Sequence, residues 1–163
     1  HVAFIVEGVT DNRLRTNQEI KSIFDRNGGS LAGQGAVSYM FEKKGEFKVQ
    51  SSKFKVKSKE EEILELIDLG AEDIEDFEED GVQKYLVYTG SSELNTMGTK
   101  ITQSGYEIES QDLVMKPTTS QSITDPDLAK KVTEFAEKLE ENDDIQKVYS
   151  NFDMAEDLVE GVV

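Results

Sequence analysis

The chain of 163 residues contains no cysteine and no tryptophan, and its single histidine is His1. Without cysteine it forms no disulfide and performs no thiol chemistry, which fits a reducing compartment. Without a second histidine it offers neither a histidine proton relay nor a histidine metal cluster. No apolar run approaches the ~20 residues that span a bilayer. We therefore predict no thiol or histidine catalysis, no metal site and no membrane association, and we expect no cofactor.

A signal peptide is also absent, and the sequence opens directly on a strand-like apolar run. We therefore expect the chain to be a fragment of a longer protein. Its length suits one domain or two small ones, and hydrophobic residues make up 36%, which is enough for cores of that size.

The net charge of −16 is unevenly distributed along the sequence. Residues 1–58 hold 10 Lys+Arg against 6 Asp+Glu, whereas residues 59–163 hold 8 against 28. Since nucleic-acid affinity comes from neutralised phosphates, so acidic a chain should not bind nucleic acid through its overall charge. We expect any such binding to be local, on the first segment, and weak in residues 1–163 alone.

The first forty residues predict a strand, a polar loop, a helix and a second strand. In order these are residues 2–6, residues 10–16, a helix capped by Thr16 with Glu19 and closed at Gly28-Gly29, and residues 36–41. The loop carries Arg13 and Arg15, just ahead of the expected helix. A helix start is partly positive and prefers acids, so these cations are unusual there.

Two interpretations of this loop stay open. Arg13 and Arg15, with Asn12 and the free backbone N–H groups, would make an anion-seeking corner suited to a phosphate or an RNA backbone. Alternatively, both arginines pair with the chain's many carboxylates, since surface ion pairs are common.

Residues 46–110 predict one complete α/β module. Within it, a capping box at Ser58 and Glu61 marks a helix start, and Asp80-Gly81 marks a hairpin turn. The expected elements are one strand or two short ones at 46–56, a helix to Gly70 with Ile63, Leu64, Leu66 and Ile67 inward, strands at 71–77 and 82–88, a helix from Ser91 or Ser92 to Gly105 with Leu94, Met97 and Ile101 inward, and a strand at 106–109. This order is ferredoxin-like.

The remaining sequence completes a second module with the first forty residues. Extended segments at 113–115 and 118–123 precede a helix that Asp125 caps and Pro126 opens. The inward side chains of this helix are predicted to be Leu128, Val132, Phe135, Ala136 and Leu139, with a strand at 145–149 and a loosely held acidic tail from residue 152. We therefore predict an α+β fold of two ferredoxin-like units with antiparallel sheets. The outer domain is residues 1–45 plus 111–163, and residues 46–110 are inserted into it.

Several runs of the sequence resemble the YebC/PmpR family. They are Thr10-Asp11-Asn12-Arg13-Leu14-Arg15-Thr16, Asn27-Gly28-Gly29, residues 35–41 with Lys44-Gly45, Gly70-Ala71-Glu72-Asp73, and residues 144–149 with Asn151. They span nearly the whole chain. The family is described as regulators of gene expression, which are DNA-binding transcriptional regulators or stalling-relief factors in bacteria and translational activators for cytochrome c oxidase subunit I in mitochondria.

This resemblance implies a regulator that binds DNA, mRNA, rRNA or the ribosome and is not an enzyme. The binding residues it implies are Asn12, Arg13 and Arg15. Lys43 and Lys44 are predicted at a hairpin end, either as a charge pair or as additional nucleic-acid contacts. Family members usually begin with a basic three-helix domain that nothing here matches, so most of the binding is expected from that missing part. The Asp125-Pro126-Asp127-Leu128 run favours a mitochondrial matrix member over a bacterial cytoplasmic one, and the oligomeric state stays open.

The sequence also allows other function classes, which it fits less well. An effector-binding or protein-interaction module would place a ligand at a sheet edge or between the units. An acylphosphatase-like phosphohydrolase would use the arginine loop as a phosphate cradle, but residues 36–41 offer only Ser38 and Tyr39 to position water. The acidic run from Glu60 to Asp80 lacks the ligand spacing of a calcium loop. The glycines that follow the first helix close it, so they are not a phosphate loop.

Overall fold

The computed structural model describes residues 2–33, 35–51 and 57–154. The chain divides into two compact units, which we call the outer unit, His1–Glu42 with Lys116–Val163, and the inner unit, Lys43–Met115. The expected domain boundaries at 45/46 and 110/111 stay a prediction. Among the described residues, no helix has the length and apolar character needed to cross a membrane.

Strands and helices cover most of the described chain. In order they are β1 (Phe4–Gly8), α1 (Arg13–Arg26), a 3-10 turn (Ser38–Met40), β2 (Phe41–Gln50), α2 (Lys59–Leu69), β3 (Asp73–Glu79), β4 (Val82–Gly90), a 3-10 turn (Ser91–Glu93), α3 (Leu94–Gln103), β5 (Glu107–Pro117), β6 (Gln121–Ile123), α4 (Pro126–Glu140), β7 (Ile145–Ser150) and β8 (Phe152–Met154).

The inner unit has the ferredoxin-like strand arrangement. Its four strands lie in the order β3-β4-β2-β5, and β4 pairs antiparallel with both β2 and β3. The β3–β4 hairpin turns at Asp80 and Gly81, which both have positive φ (55° and 75°), as predicted for an Asp-Gly turn. The α+β fold with antiparallel sheets is therefore confirmed, and the two-stranded pair of β6 and β8 is a parallel exception.

The core of the inner unit lies under one face of this sheet. Alternate residues of β2 and β4 are fully buried against the helices, including Phe47, Val49, Tyr85 and Val87. Met97 and Ile101 of α3 join them, as predicted, and Leu94 packs against the same cluster.

Helix α2 confirms its predicted cap but only part of its predicted core face. Ser58 and Glu61 form the reciprocal capping box, and Leu66 is fully buried. The prediction was wrong for Leu64 and Ile67, which are exposed. The helix instead turns Glu62 inward, where its carboxylate accepts hydrogen bonds from the Ser51 and Tyr85 hydroxyls at 2.6 and 2.9 Å.

The outer unit joins the two ends of the described chain. Strand β1 pairs antiparallel with β7, from Phe4 opposite Ser150 to Gly8 opposite Ile145. Helices α1 and α4 bury Ile20, Phe24, Phe135 and Leu139 against these strands, and the phenyl rings of Phe24 and Phe135 meet edge to face, 4.8 Å apart. The prediction that both helices share one core is confirmed for these residues. It was wrong for Leu128, which is 45% exposed.

Two predicted features at the ends of the outer unit were wrong. Of the expected strand at 36–41, residues 36–40 form a turn and a 3-10 helix, with local bonds to the Gly33 and Gly35 carbonyls, and only Phe41 is extended, as the first residue of β2. The tail is not loose from residue 152, since Phe152–Met154 pairs in parallel with β6. The part of the expected 46–56 strand beyond residue 51 lies outside the described residues until residue 57.

The aromatic contact between the helices generates a stability prediction. Phe135→Ala should lower the free energy of unfolding by about 3–5 kcal/mol, because it removes a buried ring that touches both Phe24 and Phe4. Leu128→Ala on the same helix is the matched control and should change it by less than about 0.5 kcal/mol. Urea denaturation monitored by circular dichroism measures both. Equal losses would contradict the assignment of the core face of α4.

Candidate nucleic-acid interface

Helix α1 begins four residues earlier than the sequence indicated, at Arg13 instead of at the residue after Thr16. Its N-cap is Asn12, whose side-chain oxygen accepts the Arg15 backbone N–H at 3.1 Å. The predicted capping box at Thr16 and Glu19 was therefore wrong. Arg13 and Arg15 do not precede the helix but occupy its first turn, which contains no acidic residue.

A carboxylate from the far end of the chain lies beside this first turn. The Thr16 hydroxyl donates to the Asp144 carboxylate at 2.7 Å and lies 2.8 Å from the hydroxyl oxygen of Thr10. The Arg15 guanidinium donates to the same carboxylate oxygen of Asp144 at 3.3 Å. Asp144 thus supplies the anion that a helix start prefers and that the local sequence of α1 lacks.

These contacts shift the pKa of both charged groups. The Thr16 hydrogen bond, and then the Arg15 charge and hydrogen bond, hold the pKa of Asp144 below its usual value. The hydrogen bond to Asp144, and then the charge of Asp11, raise the pKa of Arg15. Arg15 also lies 3.1 Å from the Asp11 carboxylate and 4.0 Å from that of Glu19. Arg15 is therefore an ion-pair partner within the fold.

The loop between β1 and α1 is fixed against the turn that precedes β7. The Val9 backbone N–H donates to the Asp144 carbonyl at 2.9 Å. At Gly8 a Cβ atom would lie only 2.7 Å from that same carbonyl oxygen, so the close approach requires glycine. We call this assembly of Thr10, Arg15, Thr16 and Asp144 the hinge cluster, because it joins the two chain ends.

Arg13 has a different environment from Arg15. Its side chain is exposed, and no ion pair to it is found among the described residues. Its neighbour Leu14 is 70% exposed, and Val9 at the start of the loop is 66% exposed. The hinge cluster therefore supports a corner that presents one cation and two apolar side chains to solvent.

The two predicted lysines belong to the inner unit and also differ from each other. Both lie within β2 and not at a hairpin end. The Lys44 ammonium donates to the Glu72 carboxylate at 2.5 Å, whereas Lys43 is exposed. Asn12, Arg13 and Arg15 thus lie together in the outer unit, while Lys43 and Lys44 form a separate pair in the inner unit.

Three members of the hinge cluster escaped the residue-based analysis. Thr10 and Asp144 drew attention only through the family resemblance, and Thr16 was assigned as a cap. The available signal was the first turn of α1, which has two arginines and no acid, and so calls for an anion from elsewhere. The sequence alone does not say which of the 34 acidic residues supplies it.

The outer unit also carries shallow depressions beside this cluster. One, of about 450 Å³, is lined by residues of α1 and by Asn142, and a second adjoins Glu141, Asp143 and Asp144. Both are open to solvent and include Arg15. Within the described residues, no group of three or more acidic or histidine side chains is placed to hold a metal ion.

Comparison with known proteins gives a consistent result over nearly the whole chain. The family model described as the TACO1/YebC second and third domain matches residues 1–152. A probable transcriptional regulatory protein of Persephonella marina is 42% identical over 99% of this chain and 62% of its own length. A protein of Thermotoga maritima with the same description is 41% identical over 99% of this chain and 61% of its own.

A solved structure agrees with these sequence relatives. The crystal structure of a conserved hypothetical protein, Aq1575 from Aquifex aeolicus, superposes with a TM-score of 0.82 at 37% identity, covering 95% of this chain and 61% of that one. The chain therefore spans about three fifths of the length of these relatives. The relatives compared are bacterial, so the preference for a mitochondrial member is unsupported and the bacterial alternative fits better.

The hinge cluster generates a pH prediction. Because folding lowers the pKa of Asp144, its carboxylate contributes stability that is present above about pH 4 and lost as the pH falls through the folded-state value. Asp144→Asn should therefore lower the thermal midpoint at pH 7 and flatten its decline between about pH 5 and pH 2. Thermal melts across this range measure both effects.

The exposed neighbour Asp143 supplies the matched control, since Asp143→Asn removes the same charge one residue away. That variant should keep the decline of the unmodified protein. If Asp144→Asn declined as steeply as the unmodified protein, its carboxylate would not be linked to folding.

Proposed function

Because the chain belongs to the TACO1/YebC family, we propose that it is part of a regulator of gene expression that acts by binding nucleic acid or the ribosome. The names of the bacterial relatives, probable transcriptional regulatory proteins, support the regulatory half of this proposal. The surface proposed to bind nucleic acid or the ribosome is the corner at the start of α1, and its central group is Arg13.

The observation behind this proposal is the contrast between two neighbouring arginines. Arg15 is held by Asp11 and Asp144 inside the hinge cluster, so its charge is largely compensated. Arg13 has no such partner among the described residues and lies at the partly positive end of α1. An exposed guanidinium in that position suits bidentate contact with a phosphate.

Asn12 and the hinge cluster have a supporting role in this proposal. Asn12 uses its side chain to cap α1, which fixes the helix start and so the position of Arg13 one residue later. Leu14, next to Arg13 in the sequence, and Val9, in the loop before α1, are exposed and suit contact with a base or ribose face. The corner is therefore preorganised, which reduces the ordering entropy that binding must overcome.

Overall charge limits how such a contact works. The outer and inner units each hold 9 Lys+Arg and 17 Asp+Glu, so each carries −8. The charge asymmetry along the sequence disappears in the units, because the basic beginning of the chain shares a unit with its acidic end. A polyanion is repelled by the net charge of both units, so binding through residues 1–163 rests on a few local phosphate contacts, from Arg13 and from Lys43 in the inner unit.

The geometry favours this function over a phosphohydrolase and over a module that binds a small effector. A phosphate cradle of the acylphosphatase type needs an arginine loop ahead of the helix, whereas both arginines lie within α1 and Arg15 binds Asp144. A small effector needs an enclosed, largely apolar pocket, and the depressions beside α1 are open.

Replacement of Arg13 tests the proposal most simply. The change Arg13→Gln is made in the gene, so that the protein is examined at its natural length, and association is measured by ribosome co-sedimentation and by crosslinking to rRNA, mRNA and DNA. We expect weaker association and an unchanged thermal midpoint. The log–log slope of affinity against salt should fall by about 0.7–0.9 for each phosphate that the variant no longer neutralises.

Two other arginines of α1 serve as matched controls. Arg26→Gln removes the same charge from the opposite end of the helix and should leave association unchanged. Arg15→Gln should lower the thermal midpoint, because it opens the hinge cluster. Association that survives Arg13→Gln with an unaltered salt slope would contradict the proposed role of Arg13.

A further inference from the structure

The outer face of α2 presents two large apolar side chains that the fold does not use. Leu64 is 64% exposed and Ile67 49% exposed, and they lie three residues apart on one side of the helix. The core beneath α2 is complete without them, since Leu66 is fully buried and Ile63 and Leu69 pack beside it. Adjacent exposed apolar side chains on one face are typical of an interaction site.

Carboxylates surround this pair on the same face of the helix. Glu60 and Glu61 lie one turn before Leu64, and Asp68 lies one turn after it, and all three are exposed. The two lysines at the start of this helix are neutralised within the inner unit, because the Lys57 ammonium pairs with Glu65 and that of Lys59 with Asp76 at 3.3 Å. The face is therefore apolar at its centre and negative at its rim.

We propose that this face binds a short amphipathic segment of a partner protein, whose apolar side chains are flanked by lysine or arginine. Leu64 and Ile67 would be the apolar anchors, and Glu60 and Asp68 would pair with basic residues at the rim. The pairing follows from charge complementarity, which sets orientation and partner choice at such interfaces.

The same chemistry disfavours the other occupants. A nucleic acid would place phosphates against the carboxylates of the rim, where the neighbouring Lys57 and Lys59 are already paired and do not offset the repulsion. A second copy of this chain would oppose two acidic rims in a symmetric contact. The small apolar area makes the complex weak and transient, well below the ~1,200 Å² of a stable interface.

The site is independent of the corner at Arg13, which belongs to the outer unit. Substitutions on α2 can therefore change peptide binding, or leave it unchanged, without affecting the proposed nucleic-acid contact. This separates the two proposals in experiment.

A titration followed by heteronuclear NMR tests the site. The ¹⁵N-labelled chain is titrated with a designed helical peptide that carries leucines at i, i+3, i+4 and i+7 and lysines or arginines at its edges. A second peptide has the same leucines with glutamates at its edges, and a short oligouridine is the nucleic-acid probe. We expect saturable shifts confined to α2 residues with the basic peptide only, weakened by salt.

Paired substitutions make the test specific to this face. The double change Leu64→Gln and Ile67→Gln should weaken the affinity for the basic peptide at least about tenfold, since it removes both anchors. It should leave the thermal midpoint unchanged. Leu113→Gln, an exposed leucine on β5, is the matched control and should bind as the unmodified chain does. Glu60→Lys with Asp68→Lys should invert the preference toward the acidic peptide.

Several results would overturn the proposal. These are no saturable binding at millimolar peptide, shifts that map away from α2, equal binding of the two peptides, or shifts of α2 residues on oligouridine addition. A concentration-dependent dimer that Leu64→Gln abolishes would assign the face to self-association and would equally overturn it.

Discussion

The contact between Asp144 and the first turn of α1 is the interaction on which the outer unit depends. Helix α1 starts with two arginines and no acid, which opposes the partial charge of its own N-terminus. Asp144 corrects this from more than 120 residues away, through Thr16 and Arg15. Its backbone carbonyl also holds the end of β1. One residue therefore fixes the helix start, the loop before it and the pairing of the two chain ends.

This arrangement explains why two nearby arginines have different uses. The hinge cluster occupies Arg15, and the rigidity it gives leaves Arg13 exposed in a defined position. The inner unit divides its lysines in the same way, because Lys44 pairs with Glu72 while Lys43 stays exposed. In so acidic a protein many cations have carboxylate neighbours, so an exposed cation with no ion pair among the described residues is a natural candidate for contact with a polyanion.

Local sequence signals predicted most of the helices and strands but not the long-range contacts that shift a helix start or turn a helix face. The Ser58–Glu61 box, the Asp80-Gly81 turn and the Asp125-Pro126 helix start depend on neighbouring residues, and all three are present. The start of α1 was missed because Asn12 caps the helix ahead of Thr16, whose hydroxyl is used by Asp144. Leu64 and Ile67 were wrongly predicted to face the core, because α2 instead turns Glu62 inward, where its carboxylate accepts hydrogen bonds from two hydroxyls. Both errors depend on contacts that sequence periodicity does not encode.

A double-mutant cycle between Thr16 and Asp144 tests the central claim most directly. Thr16→Val keeps the shape of the side chain and removes its hydroxyl, and Asp144→Asn keeps the shape and removes the charge. The free energy of unfolding is measured for the unmodified chain, both single variants and the double variant. If Asp144 acts through Thr16, the double variant loses clearly less stability than the sum of the single losses. Strictly additive losses would show that the two residues act independently, and the account of α1 would then be wrong.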